Sequence, residues 1–169
     1  MIITDRPYIP DSEFKQRAQN LQAIMKREGV DIFLAYGNEA EPAYSRYLCD
    51  YWPSFESCGV VLAQEGEPIL LIGPESMTFA TDRSRIPDIR RLAAFRESSN
   101  PEYPGHVLAT FGEVIESLRY DGARYILVKK QDEVHLNYLF DRFCFEEFAA
   151  DPTYLVVRVT VPGLEGPVY

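Results

Sequence analysis

Two short apolar runs lie almost back to back in this chain. Residues 59–63 read Gly-Val-Val-Leu-Ala and residues 68–72 read Pro-Ile-Leu-Leu-Ile. Only Gln64-Glu65-Gly66-Glu67 separates them. Both runs are strand-sized, and a Gly-containing gap of that length predicts a β-hairpin. A hairpin forces its two strands to be antiparallel neighbours. Any fold for this chain must therefore hold an antiparallel pair at its middle.

The flanking sequence asks for something different. Asp11 and Ser12 can cap a helix. Phe14, Ala18, Leu21 and Met25 recur at spacings of four, three and four, an amphipathic helical stripe. Gly29 is placed to end that helix. Residues 30–36 are apolar except for Asp31 and suit a strand covered on both faces. After the hairpin, Pro74 can open a short helix reaching Asp82. Residues 89–95 return to strand character, and 96–105 read as a loop. Val107, Leu108, Phe111, Val114, Ile115 and Leu118 form a second helical stripe. Asp121-Gly122 is a turn, and 125–128 a buried strand. Asp132 can cap a third long helix with Leu136, Leu139, Phe140 and Phe143 inward. Residues 154–161 make the last strand. Strand–helix–strand units favour parallel pairing, so the whole predicts a mixed sheet with helices on both faces.

Charge and length narrow the function. Seventeen basic residues against 26 acidic ones leave a net charge of −9, which argues against nucleic acid as a partner. No run approaches the roughly 20 apolar residues of a membrane span. The first fourteen residues lack the basic and apolar regions of a signal peptide, so a cytoplasmic location is expected. Cys49, Cys58 and Cys144 are an odd set, read as reduced thiols rather than a disulfide framework.

The chain shows little catalytic equipment of its own. Its two histidines, His106 and His135, stand apart, without metal-ligand spacing. Glu39/Glu41 and Glu146/Glu147 read as solvated acids. Nothing places Cys49 or Cys58 beside a histidine as a nucleophile pair would require. The glycines form no phosphate-binding loop. One local excess remains, the aromatic set Tyr44, Tyr47, Tyr51, Trp52 and Phe55. It reads either as core and loop packing or as an interface or pocket lining.

The central stretch resembles a motif of the creatinase/prolidase N-terminal domain. That family carries an Asn, then Tyr-Leu-Thr-Gly, then a hairpin with Gly-x-Pro at its turn. Arg46-Tyr47-Leu48-Cys49-Asp50 and Gly66-Glu67-Pro68 occupy those places here. The opening helix ending in Gly29-Val30-Asp31 is similar to the family's helix ending in Gly-x-Asp. Phe111-Gly112-Glu113-Val114-Ile115 and then residues 125–128 look like its later helix and strand. Near the end, Arg158 fits a strand Arg and Glu165 fits the Glu of a Lys-Ser-x-x-Glu segment, with Val161-Pro162 where Lys-Ser would be. Cys49-Asp50 replaces Thr-Gly, and Asp can take the left-handed backbone that Gly takes there, though less readily.

The resemblance implies an α/β fold: a single three-layer domain with a six-stranded mixed sheet, helices on both faces and a ribonuclease H-like motif. The domain would span residues 1–161. Residues 162–169 would be a tail or the start of a linker to a catalytic domain absent from this chain. Two divalent metal ions, such as manganese or cobalt, are expected in that domain and none in this chain. It implies a non-catalytic part of a metal-dependent Xaa-Pro dipeptidase or aminopeptidase, assembled as a homodimer and acting on small peptides. The alternative is a stand-alone interaction module of the same fold. A flavodoxin-like domain is disfavoured by the hairpin after the first strand. In creatinase-like relatives, the loop before the hairpin reaches the partner subunit's active site. By that likeness Tyr51, Trp52, Phe55 and Glu56 are the candidates for a substrate pocket or interface, with no catalytic residue and no metal ligand. This loop is expected at the sheet's edge, exposing part of Trp52 or Phe55. It carries no Arg, and Glu56 is acidic, so carboxylate binding is not implied.

Overall fold

The computed structural model describes residues 8–97, 103–118, 125–129, 144–150 and 154–160, with side chains through 114 and at 117–118. Helix α1 (Asp11–Glu28) buries Phe14, Ala18 and Met25 from the predicted stripe. Its N-terminus follows extended Pro10 and has no side-chain cap, so Asp11 and Ser12 lie inside the helix rather than capping it. Asp11 and Glu13 instead complement the positive end of the helix dipole. At the other end Gly29 takes a left-handed φ of 70°, a conformation that costs glycine little. The Val30 amide then closes on the Met25 carbonyl at 2.9 Å.

The chain continues through β1 (Ile32–Gly37), α2 (Ala43–Cys49), β2 (Cys58–Ala63) and β3 (Ile69–Ile72). Next come α3 (Met77–Arg83), β4 (Ile89–Arg91), a 3-10 turn (Ala93–Phe95) and α4 (Phe111–Ser117). The last described elements are β5 (Tyr125–Lys129), β6 (Cys144–Ala150) and β7 (Tyr154–Thr160). The strands form one sheet in the order β4-β3-β2-β1-β5-β7-β6. The hairpin β2–β3 is antiparallel, as is β1–β2, whereas β1–β5 and β3–β4 are parallel. The sheet is therefore mixed, as the sequence predicts.

Several expectations need correction. Four strands, β1 to β4, come from the half of the chain before residue 92, and three more bring the sheet to seven rather than six. The unforeseen strand is β6, whose Glu146, Glu147, Ala149 and Ala150 are poor strand formers. Its pairing with β7 supplies what propensity lacks. Helix α2 was also not predicted, because seven residues are too few to show a clear period. The expected strand at 89–95 stops at Arg91 and gives way to the 3-10 turn. Pro74 lies in the turn before α3 rather than opening the helix. Helix α4 starts at Phe111, which leaves Val107 87% exposed instead of inward. The turn at Asp121-Gly122, the helix expected from Asp132 with Leu136, Leu139, Phe140 and Phe143, and residues 161–169 lie outside the described residues.

Alternation along the strands divides the core into two faces. Ile32, Leu34, Tyr36, Val61, Ile69 and Leu71 point to one face, where Leu92, Phe95, Phe111 and Val114 cover them. Ala35, Val60, Leu70 and Ile72 point to the other, against Leu48 and Cys49 of α2, Ala80 of α3 and Ile86. Leu62 joins Ala18, Met25 and Val30 beneath α1. The runs are apolar without alternation because both faces are buried. Polar contacts tie the hairpin turn to α1: Gln22 donates to the carbonyls of Ala63 and Gly66, and Lys26 pairs with Glu65 at 2.9 Å.

Candidate functional site

The site begins where α2 ends. Asp50 has φ 59°, the one non-glycine residue with positive φ among the described residues. Its amide donates to the Arg46 carbonyl at 2.9 Å, closing the helix in the left-handed turn that the family's glycine would make. The strained conformation is braced from outside. Arg85 reaches the Asp50 carboxylate at 3.5 Å and Asp11 at 3.1 Å, and its amide donates to the Cys49 carbonyl at 2.8 Å. Arg46 lies 3.9 Å from Asp50.

Residues 51–57 then cross to β2. That strand is interior to the sheet, so the loop lies at strand ends rather than beside an edge strand. Its side chains divide between anchoring and presentation. Tyr51 is fully buried, its ring 5.8 Å from Phe79 of α3. Trp52 is half-buried, packed edge-to-face with Phe79 at 6.1 Å between ring centres, and the Arg46 guanidinium lies 4.4 Å above its own ring. An arginine over an indole face is a favourable cation–π contact. Phe55 is 39% exposed. Glu56 turns inward and is only 2% exposed.

Glu56 is held from below. Its Oε2 accepts a hydrogen bond from Ser76 Oγ at 2.5 Å, and its Oε1 accepts one from the Glu75 amide at 3.3 Å. Gly73 makes the room, since a β-carbon there would land on the carboxylate. Burial pushes the Glu56 carboxyl above its ordinary value, against the opposing pull of these hydrogen bonds. Burial likewise pushes the Tyr51 phenol up to about 12. Its hydroxyl has no well-formed hydrogen bond among the described residues, although Ser76 stands close enough to influence its ionisation.

The two nearby thiols are inert packing groups. Cys49 Sγ donates to the Ser45 carbonyl at 3.0 Å, and Cys58 Sγ donates to Ser45 Oγ at 3.2 Å. Burial pushes the Cys49 thiol far up and the Cys58 thiol up to about 12, so neither forms a thiolate nucleophile near neutral pH. His106 is exposed with its ring against Tyr103, and His135 lies outside the described residues. Among the described residues, no group of three or more His, Cys, Asp or Glu converges as metal ligands. These residues do not fit the pair of metal ions that the resemblance implies, and no chemical step through metal is assigned to them. The arrangement positions a partly exposed aromatic surface over a buried carboxyl.

Tyr51, Trp52, Phe55 and Glu56 are thus brought together, two outward and two inward. Tyr44 and Tyr47 lie on α2 at 39% and 55% exposure. Arg17 of α1 stacks on Tyr47 at 4.6 Å and donates to its carbonyl at 2.9 Å. Sequence reasoning missed Arg46, Phe79, Ser76 and Gly73. Arg46 stands at the family's Asn position, and that substitution was the available signal. The other three lie beyond the hairpin, more than 15 residues from the loop, and carry no local mark.

No protein-family model matches the chain, and no curated protein matches it. Among solved structures it is similar to an Xaa-Pro aminopeptidase from Streptococcus pyogenes, at 15% identity and TM-score 0.41, over 50% of this chain and 60% of that one. It is also similar to the creatinase/prolidase-like N-terminal domain of a candidate metallopeptidase from Corynebacterium diphtheriae. There the identity is 20% and the TM-score 0.37, over 47% of this chain and 57% of the other. Both names are those of the family that the sequence resembles. The shared part is under two thirds of either solved chain.

Proposed function

We propose that this chain is the non-catalytic N-terminal domain of an Xaa-Pro peptidase or creatinase-like metallohydrolase. In that role it aids assembly of a cytoplasmic homodimer and narrows access to the partner subunit's active site, favouring small peptides. The two divalent metal ions, manganese or cobalt, belong to a catalytic domain outside this chain. The order of family-like motifs along the sequence supports the reading. The observation that carries it is the loop 51–57: anchored inside by Tyr51 and Glu56, it leaves Phe55 and part of Trp52 at the surface, with Arg46 stacked on the Trp52 ring. An exposed aromatic surface is the kind that packs against a partner or lines a pocket.

The test uses the parent enzyme with Trp52→Ala and Phe55→Ala, measured for Xaa-Pro dipeptide hydrolysis, for dimer mass by sedimentation, and for thermal stability. Lower kcat/KM or a weakened dimer, with the melting temperature nearly kept, is the expected result. Unchanged kinetics and mass in both variants refute the role. A parent that hydrolyses no Xaa-Pro peptide under any of these metals turns the reading to the stand-alone interaction module.

A further inference from the structure

Helix α2 buries Ser45, Leu48 and Cys49 and leaves Ala43, Tyr44, Arg46 and Tyr47 exposed. The loop that leads into it adds two exposed acids, Glu39 and Glu41. Asn38 holds that loop in shape. Its Oδ1 accepts from the Ala40 and Glu41 amides at 2.9 and 2.8 Å, and its own amide donates to the Glu41 carbonyl at 3.4 Å. Further along the helix stands Arg46, whose side chain is 53% exposed. Its guanidinium rests on Trp52, lies 3.9 Å from Asp50, and makes no hydrogen bond among the described residues. Arg17 also stands over Tyr47, but Glu13 and the Tyr47 carbonyl occupy it. One exposed face thus has acids at its first end, tyrosines along it and an available arginine toward its last.

We propose that this face docks on the same face of a second copy of the chain, with the two α2 helices antiparallel about a twofold axis. Glu39 and Glu41 of each copy then meet Arg46 of the other, and the tyrosines pack between. A twofold contact must be self-complementary, because each copy offers the same patch. The α2 face meets that condition, with opposite charges toward its two ends and aromatics between them. A partner strip of one charge would be repelled at one end. The net charge of −9 opposes any contact between copies that lacks such pairing. Tyrosine and arginine are also the residue types that carry contact energy. A helix of seven residues is about 10 Å long, so the contact is smaller than a standard interface and weak by itself. The inference rests on the proposed homodimer and assigns it a surface. Because Arg46 lies on Trp52, the same pairing brings the aromatic loop beside the second copy.

The experiment is sedimentation of the full chain from about 10 µM to about 1 mM, the range in which a small contact associates. The wild type should pass from monomer to dimer, and added salt should oppose this. Arg46→Glu, and separately the pair Glu39→Arg with Glu41→Arg, should each weaken association at least about tenfold. Each charge pair occurs twice in a twofold dimer, and like charges replace it. An equal mixture of the two variants should regain association, since each then meets the opposite charge at both ends of the face. A wild type that stays monomeric to about 1 mM overturns the proposal. So does a variant that associates like the wild type, or a mixture no tighter than either variant alone. If Arg46→Glu does not fold by circular dichroism, the paired glutamate variant and Tyr47→Ala decide, and undiminished association in either refutes the face. The readout needs no peptidase activity. A dimer that ignores these substitutions removes this surface and leaves the proposed homodimer standing.

Discussion

Replacing Leu70 by alanine tests the hairpin and the core together. Leu70 is fully buried in β3, registered against Val60 of β2 on one side and Ile89 of β4 on the other. Leu48 of α2, Ala80 of α3 and Ile86 share its cluster. Truncation deletes three carbons, worth about 2.4 kcal/mol at roughly 0.8 kcal/mol each. Two strand neighbours and the Leu70 amide bond to the Asp88 carbonyl, at 2.9 Å, keep the backbone from collapsing into the void. A remaining cavity of about 60 Å3 adds roughly 1.4 kcal/mol. The expected loss is therefore about 4 kcal/mol, or roughly 8–16 °C in melting temperature for a chain of this size. Urea unfolding followed by Trp52 fluorescence and circular dichroism should show a lower midpoint with an unchanged slope. Ile24→Ala, at a position of α1 that is 45% exposed, serves as the control and should cost under about 0.5 kcal/mol. A Leu70→Ala loss as small as that of the control would put Leu70 on the surface and break the strand assignment.

Gly73→Ala should cost about 1–3 kcal/mol by driving a methyl group into the Glu56 carboxylate, and the cost should shrink in a Glu56→Ala background, as a double-mutant cycle by urea unfolding would show. Asp50→Gly should be more stable than Asp50→Ala by about 1 kcal/mol in paired melts, because alanine gains nothing from the left-handed turn at φ 59°. The raised Glu56 carboxyl predicts a pH trend: its contribution is full below the ordinary 4.5 and is lost as pH rises through the raised value. The stability of wild type relative to Glu56→Gln should accordingly fall from pH 4.5 upward, and a difference that stays constant with pH contradicts this. The chain alone should hydrolyse no Xaa-Pro dipeptide with added manganese, cobalt or zinc, and metal-dependent turnover by a contaminant-free sample would refute this.

Much of the fold was legible because burial leaves periodic marks. The stripe Phe14, Ala18, Leu21 and Met25 marks α1, and Gly29 marks its end. The unbroken apolar runs of β1, β2 and β3 mark strands with two covered faces. The misses fall where local preference is weak or overruled. Strand β6 holds four weak strand formers, Glu146, Glu147, Ala149 and Ala150, and its pairing with β7 makes up for them. Helix α2 is two turns long and shows no period. The end of β4 at Arg91 is set by the 3-10 turn that brings Phe95 onto the sheet, a packing event with no local signal.

For the candidate site the division runs between residue type and direction. The sequence by itself determined that an aromatic loop leaves a Tyr-Leu turn and enters a hairpin, and that Asp50 must manage a turn suited to glycine. Which side chains face water was decided only in three dimensions. Trp52 is held by Arg46, six residues earlier, and by Phe79, 27 residues later. Glu56 reads in the sequence as an acid of a pocket or interface loop, yet it is buried because Gly73 and Ser76, brought beside it by the return of β3, offer space and a hydrogen bond. Periodicity records whether a residue tends to be buried along its own element. It holds no record of a partner from another element, and for Glu56 that partner supplies the hydrogen bonds without which a buried carboxyl would be too costly to keep.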